Sequence, residues 1–195
     1  MSNNSKMIRQ LRLYRNICKT WYHGPDELME RFKISRRMLQ RDLKDLRDAG
    51  VIRLTLDKKD NNYVETSEPP IFDESVTGRR RQHLVRLKRL TTLMDNLERT
   101  DMDKISHYES ELEEYDWYKE YMVEDPEEFP PEDLGDPPVI PVLEDVKASY
   151  YSLFPESNER MRQRDFSALN DAGYNIYYSH KYKTIIFEDG WEYSD

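Results

Sequence analysis

Cysteine is almost absent from this chain: Cys18 is the only one among 195 residues. That excludes an intrachain disulfide and any metal centre built from clustered thiolates, and it fits a reducing compartment. Glycine is scarce too. Its six residues form no cluster, so no glycine-rich loop is available to cradle a nucleotide phosphate. The histidines His23, His83, His107 and His180 are scattered and keep no ligand spacing. No apolar run approaches the roughly 20 residues of a membrane helix, and the first residues lack the apolar region of a signal peptide. A cytoplasmic protein without membrane association, metal or cofactor is expected. No catalytic constellation stands out, so an enzyme is not expected.

Charge is present in quantity and is segregated. The formal net charge is −9 and the pI about 5.1, which taken whole argues against a non-specific polyanion binder. Yet from Lys6 to Arg53 basic residues outnumber acidic ones roughly two to one, and from Asp95 to Asp145 acidic residues dominate roughly six to one. The carboxylates from Glu109 to Asp145 read as a solvated run, not as a metal site or an acid pair.

A repeat organises the chain. Arg37-Met38-Leu39-Gln40-Arg41-Asp42, followed by Leu46 and Asp48-Ala49-Gly50, returns as Arg160-Met161-Arg162-Gln163-Arg164-Asp165, followed by Leu169 and Asp171-Ala172-Gly173. The offset is constant and ungapped (160 against 37, 173 against 50), so two copies of one structural unit are expected.

The surroundings of each copy agree. Residues 6–22 predict a helix with Met7, Leu11, Tyr14, Cys18 and Trp21 on one apolar stripe, and Arg9, Arg12 and Arg15 off it. On that stripe Cys18 reads as packed, not reactive. Gly24-Pro25 breaks the helix and starts a short one carrying Leu28, Met29 and Phe32. Ser35 is placed to cap a third helix over about 36–49, buried through Leu39, Leu43 and Leu46 and stopped by Gly50. Residues 51–56 and 63–65 read as a hairpin around Asp57–Asn62. Three helices plus a hairpin spell a winged helix-turn-helix.

After a Pro-containing connector, Leu84, Leu87, Leu90, Met94 and Leu97 mark another helix behind Arg79-Arg80-Arg81. Thr100-Asp101 would cap a further one, with Ile105, Tyr108, Leu112, Tyr115, Lys119 and Met122 on a face. The acidic stretch 124–141 carries six prolines and reads as extended or disordered. A helix over 142–154, the repeated helix capped by Ser157 or Asn158, and a hairpin around residues 180–183 complete the second unit. The fold class is mostly α with small β-hairpin wings. Its divisions are a first winged unit (1–66), a linker (67–78), a helical segment (79–123), an acidic linker (124–141) and the remainder of the second unit (142–195).

Arg37, Gln40, Arg41 and Lys44 share a face opposite the leucine stripe. Arginine suits guanine and glutamine suits adenine in the major groove. Ser35 and Arg36 at the helix start suit phosphate, and Lys58 and Lys59 at the hairpin tip suit the neighbouring backbone. Asp42 reads as an ion-pair or hydrogen-bond partner that positions a neighbouring arginine. The run Ile34-Ser35-Arg36-Arg37-Met38-Leu39-Gln40-Arg41-Asp42-Leu43, with Leu46 and Ala49-Gly50, resembles the DeoR-type winged helix. It is closest to the form at the front of bacterial WYL-domain transcription regulators. The resemblance covers about 60 N-terminal residues well and about 40 C-terminal residues less well. It implies sequence-specific binding to double-stranded DNA, usually as a dimer.

Two departures qualify it. No sugar-phosphate sensor or WYL ligand domain is expected within residues 67–195. In the second copy Arg162 replaces Leu39, and Glu159 replaces Arg36, where a carboxylate would repel phosphate. Arg160, Gln163, Arg164, Lys181 and Lys183 form a second candidate DNA set. Tyr108, Leu112, Tyr115, Tyr118 and Met122 form a candidate homodimer interface. The second unit or the acidic segment is a candidate surface for a protein partner. The expected function is a nucleoid-associated bacterial or phage transcription regulator. The alternatives are a tandem winged-helix scaffold of the chromosome-segregation type and a plasmid or phage replication initiator.

Overall fold

The computed structural model describes residues 3–19, 24–97, 102–125 and 127–189. Within them the first set of elements is α1 (Asn3–Lys19), α2 (Pro25–Phe32), α3 (Arg36–Asp48), β1 (Leu54–Asp57) and β2 (Asn62–Glu65). The second is α4 (Gly78–Leu97), α5 (Met102–Glu124), α6 (Val146–Leu153), α7 (Glu159–Ala172), β3 (Tyr174–Ser179) and β4 (Thr184–Asp189). The order helix, helix, helix, hairpin thus occurs twice, with α5 and the acidic stretch inserted in the second set. Expected features at Trp21, His23, Thr100-Asp101 and Pro126 lie outside the described residues.

The repeated helices begin and end alike because their boundary residues act alike. Ser35 Oγ accepts from Met38 N–H at 3.3 Å, and Asn158 Oδ1 accepts from Met161 N–H at 3.0 Å. Gly50 (φ +64°) and Gly173 (φ +106°) follow the helix ends in the left-handed region that favours glycine. Both hairpins are antiparallel, with Leu54 opposite Glu65 and Tyr174 opposite Asp189 at their open ends. The first hairpin starts at Leu54, three residues later than the apolar run suggests. Val51 and Ile52 are instead packed against the core beside the end of α3. Likewise α6 starts at Val146, after the last proline of the acidic stretch, where Asp145 caps it by accepting from Lys147 N–H.

The two sets share one apolar core. Leu11, Leu39 and Leu46 from the first join Leu84, Leu90, Tyr150 and Leu169 from the second. α1 and α4 lie at its centre. Beyond the expected stripe of Met7, Leu11 and Tyr14, α1 buries a second line, Gln10, Leu13 and Ile17. Gln10 on that line bonds to α3 and α4, and α1 packs on α7 as well. The Arg12 side chain donates to the carbonyls of Asp171 (3.0 Å) and Ala172 (3.3 Å) at the end of α7. This is the electrostatically favoured place for a cation. Arg15, expected off the stripe, is buried with its guanidinium 4.6 Å from the Tyr174 ring centroid. Cys18, expected to be packed, is exposed. The apolar surface of α1 turns to Ile17 at that level, so the thiol falls outside the buried sector.

The stretch joining the two sets is held in place. Ala49 bridges Phe72, Asp73 N–H donates to the Asp48 carbonyl at 2.8 Å, and Val76 is buried. The acidic stretch has a single 3-10 turn at Pro131–Asp133 and no other regular element among its described residues. It is anchored to α5: Phe129 stacks against Trp117, Tyr118 and Tyr121, and Tyr118 Oη donates to the Pro130 carbonyl at 3.2 Å.

Candidate nucleic-acid interface

α3 turns a continuous polar face outward. Arg36, Arg37, Gln40, Arg41, Lys44 and Arg47 are all exposed, while Leu39, Leu43 and Leu46 are buried behind them. None of the five cations makes a salt bridge among the described residues. Their donors are therefore open to an incoming anion. Ser35 Oγ caps the helix by accepting from Met38 N–H, an arrangement that leaves its O–H as a donor. On one flank stands the β1–β2 hairpin, whose tip exposes Lys58 and Lys59. Lys59 N–H is fixed there by Asp57 Oδ1 at 2.8 Å. Tyr63 on β2 lies near Arg36 and Arg47; burial pushes its hydroxyl pKa up against their pull.

The inner side of α3 is tied down by carboxylates. Asp42 is 1 % exposed and accepts from Arg9 (Nε 2.6 Å, Nη2 3.2 Å) and from Gln10 Nε2 (3.0 Å). Its partners thus come from α1: Asp42 is the arginine partner the sequence suggested, and the arginine is Arg9, a neighbour in space and not in sequence. A side chain on the inward sector of the helix cannot turn to its outward neighbour. Gln10 also donates to Asp45 Oδ2 at 3.0 Å, and its carbonyl oxygen meets His83 Nε2 at 2.8 Å. Since an amide oxygen only accepts, the neutral ring carries its proton on Nε2. Burial, and then the nearby Lys6, hold the His83 pKa below the ordinary histidine value. Burial raises the Asp45 pKa, but hydrogen bonds from Lys6, Gln10 and Arg80 outweigh it and hold the carboxyl below its usual range.

α7 repeats the frame with different chemistry. Asp165 occupies the place of Asp42, is fully buried, and accepts from Arg86 Nε (3.2 Å), Arg89 Nε (2.6 Å) and Tyr150 Oη (2.9 Å). Arg162 stands at the Leu39 position and is itself buried. It is neutralised by Glu159 three residues earlier and lies 4.9 Å from the Phe166 ring centroid. Glu159 also accepts from Tyr151 Oη (2.7 Å) and Gln163 Nε2 (3.0 Å). The Arg162 bond, followed by that of Tyr151, lowers the Glu159 pKa to about 2. The two replacements are therefore one compensated pair, and Gln163 is drawn toward it. Arg160 and Arg164 stay exposed without a salt bridge among the described residues. At the second hairpin tip Lys183 is exposed, but Lys181 is engaged by Glu109 of α5 at 3.2 Å and lies 4.9 Å from the Tyr108 ring centroid.

The residues expected to form a dimer face do share a side of α5. Tyr108 is buried against Tyr182, Tyr118 packs on Phe129, and Leu112, Tyr115 and Met122 are half-buried. At both ends of the helix this side is met by the chain's own segments. The acidic carboxylates make no salt bridge to α3 among the described residues. Three histidines fall within them. His83 belongs to the Gln10 network, His107 pairs with Glu111 on α5, and His180 stacks edge-on against Tyr178. No group of three or more potential metal ligands occurs among the described residues, and no helix there is long and apolar enough to cross a membrane.

The structure adds a feature that single helices do not reveal. A cleft of about 1110 Å³ lies between the two repeated helices. α3 contributes Arg41 and Lys44, α7 contributes Met161 and Arg164, and α4 contributes Arg79, Arg80, Gln82 and Arg86. Its traces in the sequence were the candidate residues Arg41, Lys44 and Arg164, and the basic start of α4, of which Arg79 and Arg80 line it. Which of those side chains would meet α3 and α7 depends on packing across the whole chain. No protein-family model matches the chain, and neither the curated proteins nor the solved structures offer a match.

Proposed function

We propose that both helix–hairpin sets are winged helix-turn-helix units, and that the chain is a sequence-specific double-stranded DNA-binding regulator reading its site with α3. One observation carries this reading: in a protein of net charge −9, α3 exposes five cations and Gln40 on one face, and none of those cations makes a salt bridge among the described residues. Such a face offers bidentate donors for guanine and adenine edges through Arg37, Arg41 and Gln40. Arg36 and Lys44, with Lys58 and Lys59 on the adjoining hairpin, serve phosphates. The resemblance of residues 34–50 to DeoR-type regulators supports the same assignment.

The second unit supports a lesser role. Its Glu159, Arg162 and Gln163 satisfy one another and its Lys181 is held by α5. These losses favour a protein-contact role for α7, as in a tandem winged-helix scaffold. Gel-shift titration of random genomic duplex fragments separates the readings. The DNA reading expects nanomolar-range binding at low salt, with log K falling as log salt rises by about 0.9 per phosphate neutralised. Arg37→Ala combined with Arg41→Ala abolishes it. A wild-type protein that binds no duplex at low salt, or a double variant that binds like wild type, refutes it.

A further inference from the structure

Among the described residues, the cleft between α3 and α7 holds eight cationic side chains against one carboxylate, Asp45. Four of the eight are already committed. Lys6 pairs with Asp45 at 2.7 Å, Arg80 with Asp45 and Asp48, and Arg86 and Arg89 with Asp165. These pairs fix the floor. The other four, Arg41, Lys44, Arg79 and Arg164, make no salt bridge among the described residues and are exposed at the mouth. They come from three different helices, so their convergence is a product of the tertiary fold and not of one helix's charge pattern. A cleft lined by one sign of charge concentrates its field on an anion lying in it.

The lining also says what kind of anion. Among the described residues it contains no phenylalanine, tyrosine or tryptophan. A groove for single-stranded nucleic acid characteristically stacks bases on aromatic rings, and a pocket for a nucleotide-sized ligand is mostly apolar with a few polar groups. Neither is found here. Arg41 and Lys44 belong both to the cleft and to the exposed face of α3. The cleft is therefore continuous with that face and leads from it toward α4 and α7.

We propose that this cleft seats the phosphodiester backbone of the same duplex that α3 reads, with Arg79 of α4 and Arg164 of α7 as its phosphate ligands. This rests on the DNA-reading assignment of α3 and extends it. The second unit then contributes a backbone clamp in place of an independent reading helix, and α4 becomes part of the interface.

The test is the salt dependence of duplex binding by the full-length protein. Arg79→Gln combined with Arg164→Gln changes two exposed side chains, and circular dichroism checks that the fold is kept. The expected result is a weaker complex whose log K against log salt is shallower than wild type by about 1.8, the value for two phosphates. Lys119→Gln on α5, exposed and away from the cleft, leaves the slope within about 0.3 of wild type on the same scale. An unchanged slope in the Arg79/Arg164 variant overturns the clamp while leaving the α3 reading intact. An equal fall in the Lys119 variant overturns it too, because the effect is then one of net charge. If wild type binds no duplex, the α3 reading fails first and the clamp with it. A calorimetric titration with inorganic tripolyphosphate separates the other source of phosphate. Stoichiometric binding lost in the Arg79/Arg164 variant, with an unchanged duplex slope, assigns the cleft to a small phosphate compound and overturns the backbone assignment.

Discussion

Replacing Asp165 by asparagine is the sharpest probe of how the second unit is held. The carboxylate is fully buried and receives donors from two helices: Arg86 and Arg89 of α4 at 3.2 and 2.6 Å, and Tyr150 of α6 at 2.9 Å. Asparagine keeps the volume and one acceptor. Its second oxygen becomes an amide that faces guanidinium donors. Removing one partner of a buried ion pair costs about 3–5 kcal/mol, because the other charge stays buried. Arg86 is 26 % exposed and Arg89 14 %, so Arg86 regains water more readily. That places the loss near the lower end, about 3 kcal/mol. With a urea m-value of about 2 kcal/mol/M, the unfolding midpoint falls by about 1.5 M. Urea titration followed by far-UV circular dichroism measures it, with Glu120→Gln on the exposed side of α5 as control. Arg89→Met in both backgrounds should give a coupling of about 1 kcal/mol or more. A midpoint shift below about 0.3 M, or no coupling with Arg89, would mean that Asp165 is not the anchor the geometry implies.

Two further outcomes follow from the same packing. His83 is held below the ordinary histidine pKa by burial and Lys6, so the unfolded chain takes up its proton first as pH falls. Stability from this site is therefore present above about pH 6.5 and lost as pH drops toward the folded value. Thermal unfolding compared at pH 7.5 and 5 should show a smaller loss for His83→Gln than for wild type, and equal losses refute the assignment. Gly50→Ala brings a Cβ to 2.5 Å from Phe72 N, and at Gly78, also at positive φ, a Cβ meets nothing within 4 Å. The Gly78 variant should lose about 1 kcal/mol from the left-handed backbone alone, and the Gly50 variant clearly more. Chemical denaturation giving the same loss for both would show that the approach of residues 71–72 to α3 is not tight.

Much of the frame was legible before any coordinates. The repeat announces itself, and its Ser35 cap, Gly50 and Gly173 act through local backbone chemistry that a sequence displays directly. The exposed face of α3 was legible for the same reason, since helical periodicity alone separates Arg37, Gln40, Arg41 and Lys44 from Leu39 and Leu43. What escaped was set by distant partners. The second buried line of α1 has no local signature, because what covers it includes α7. Arg15 looks like a surface residue until Tyr174 is placed beside it, and Arg162 looks like a defect until Glu159 and Tyr151 close around it. Phe129 is one aromatic in an acidic, proline-rich stretch. Only the rings of α5 give it somewhere to go.

The packing of α1 on α7 carries a consequence for synthesis. The helix made first is covered by a helix that leaves the ribosome roughly 150 residues later. At about 5–20 residues per second, Leu13, Arg15 and Ile17 wait roughly 8–30 s for their cover. During that time the N-terminal unit is translated but still open along one side. A ribosome-bound chain stalled before residue 159 should therefore be far more sensitive to protease near α1 than the released protein. For the same reason, cutting the gene after residue 66 should yield a fragment with an exposed apolar seam.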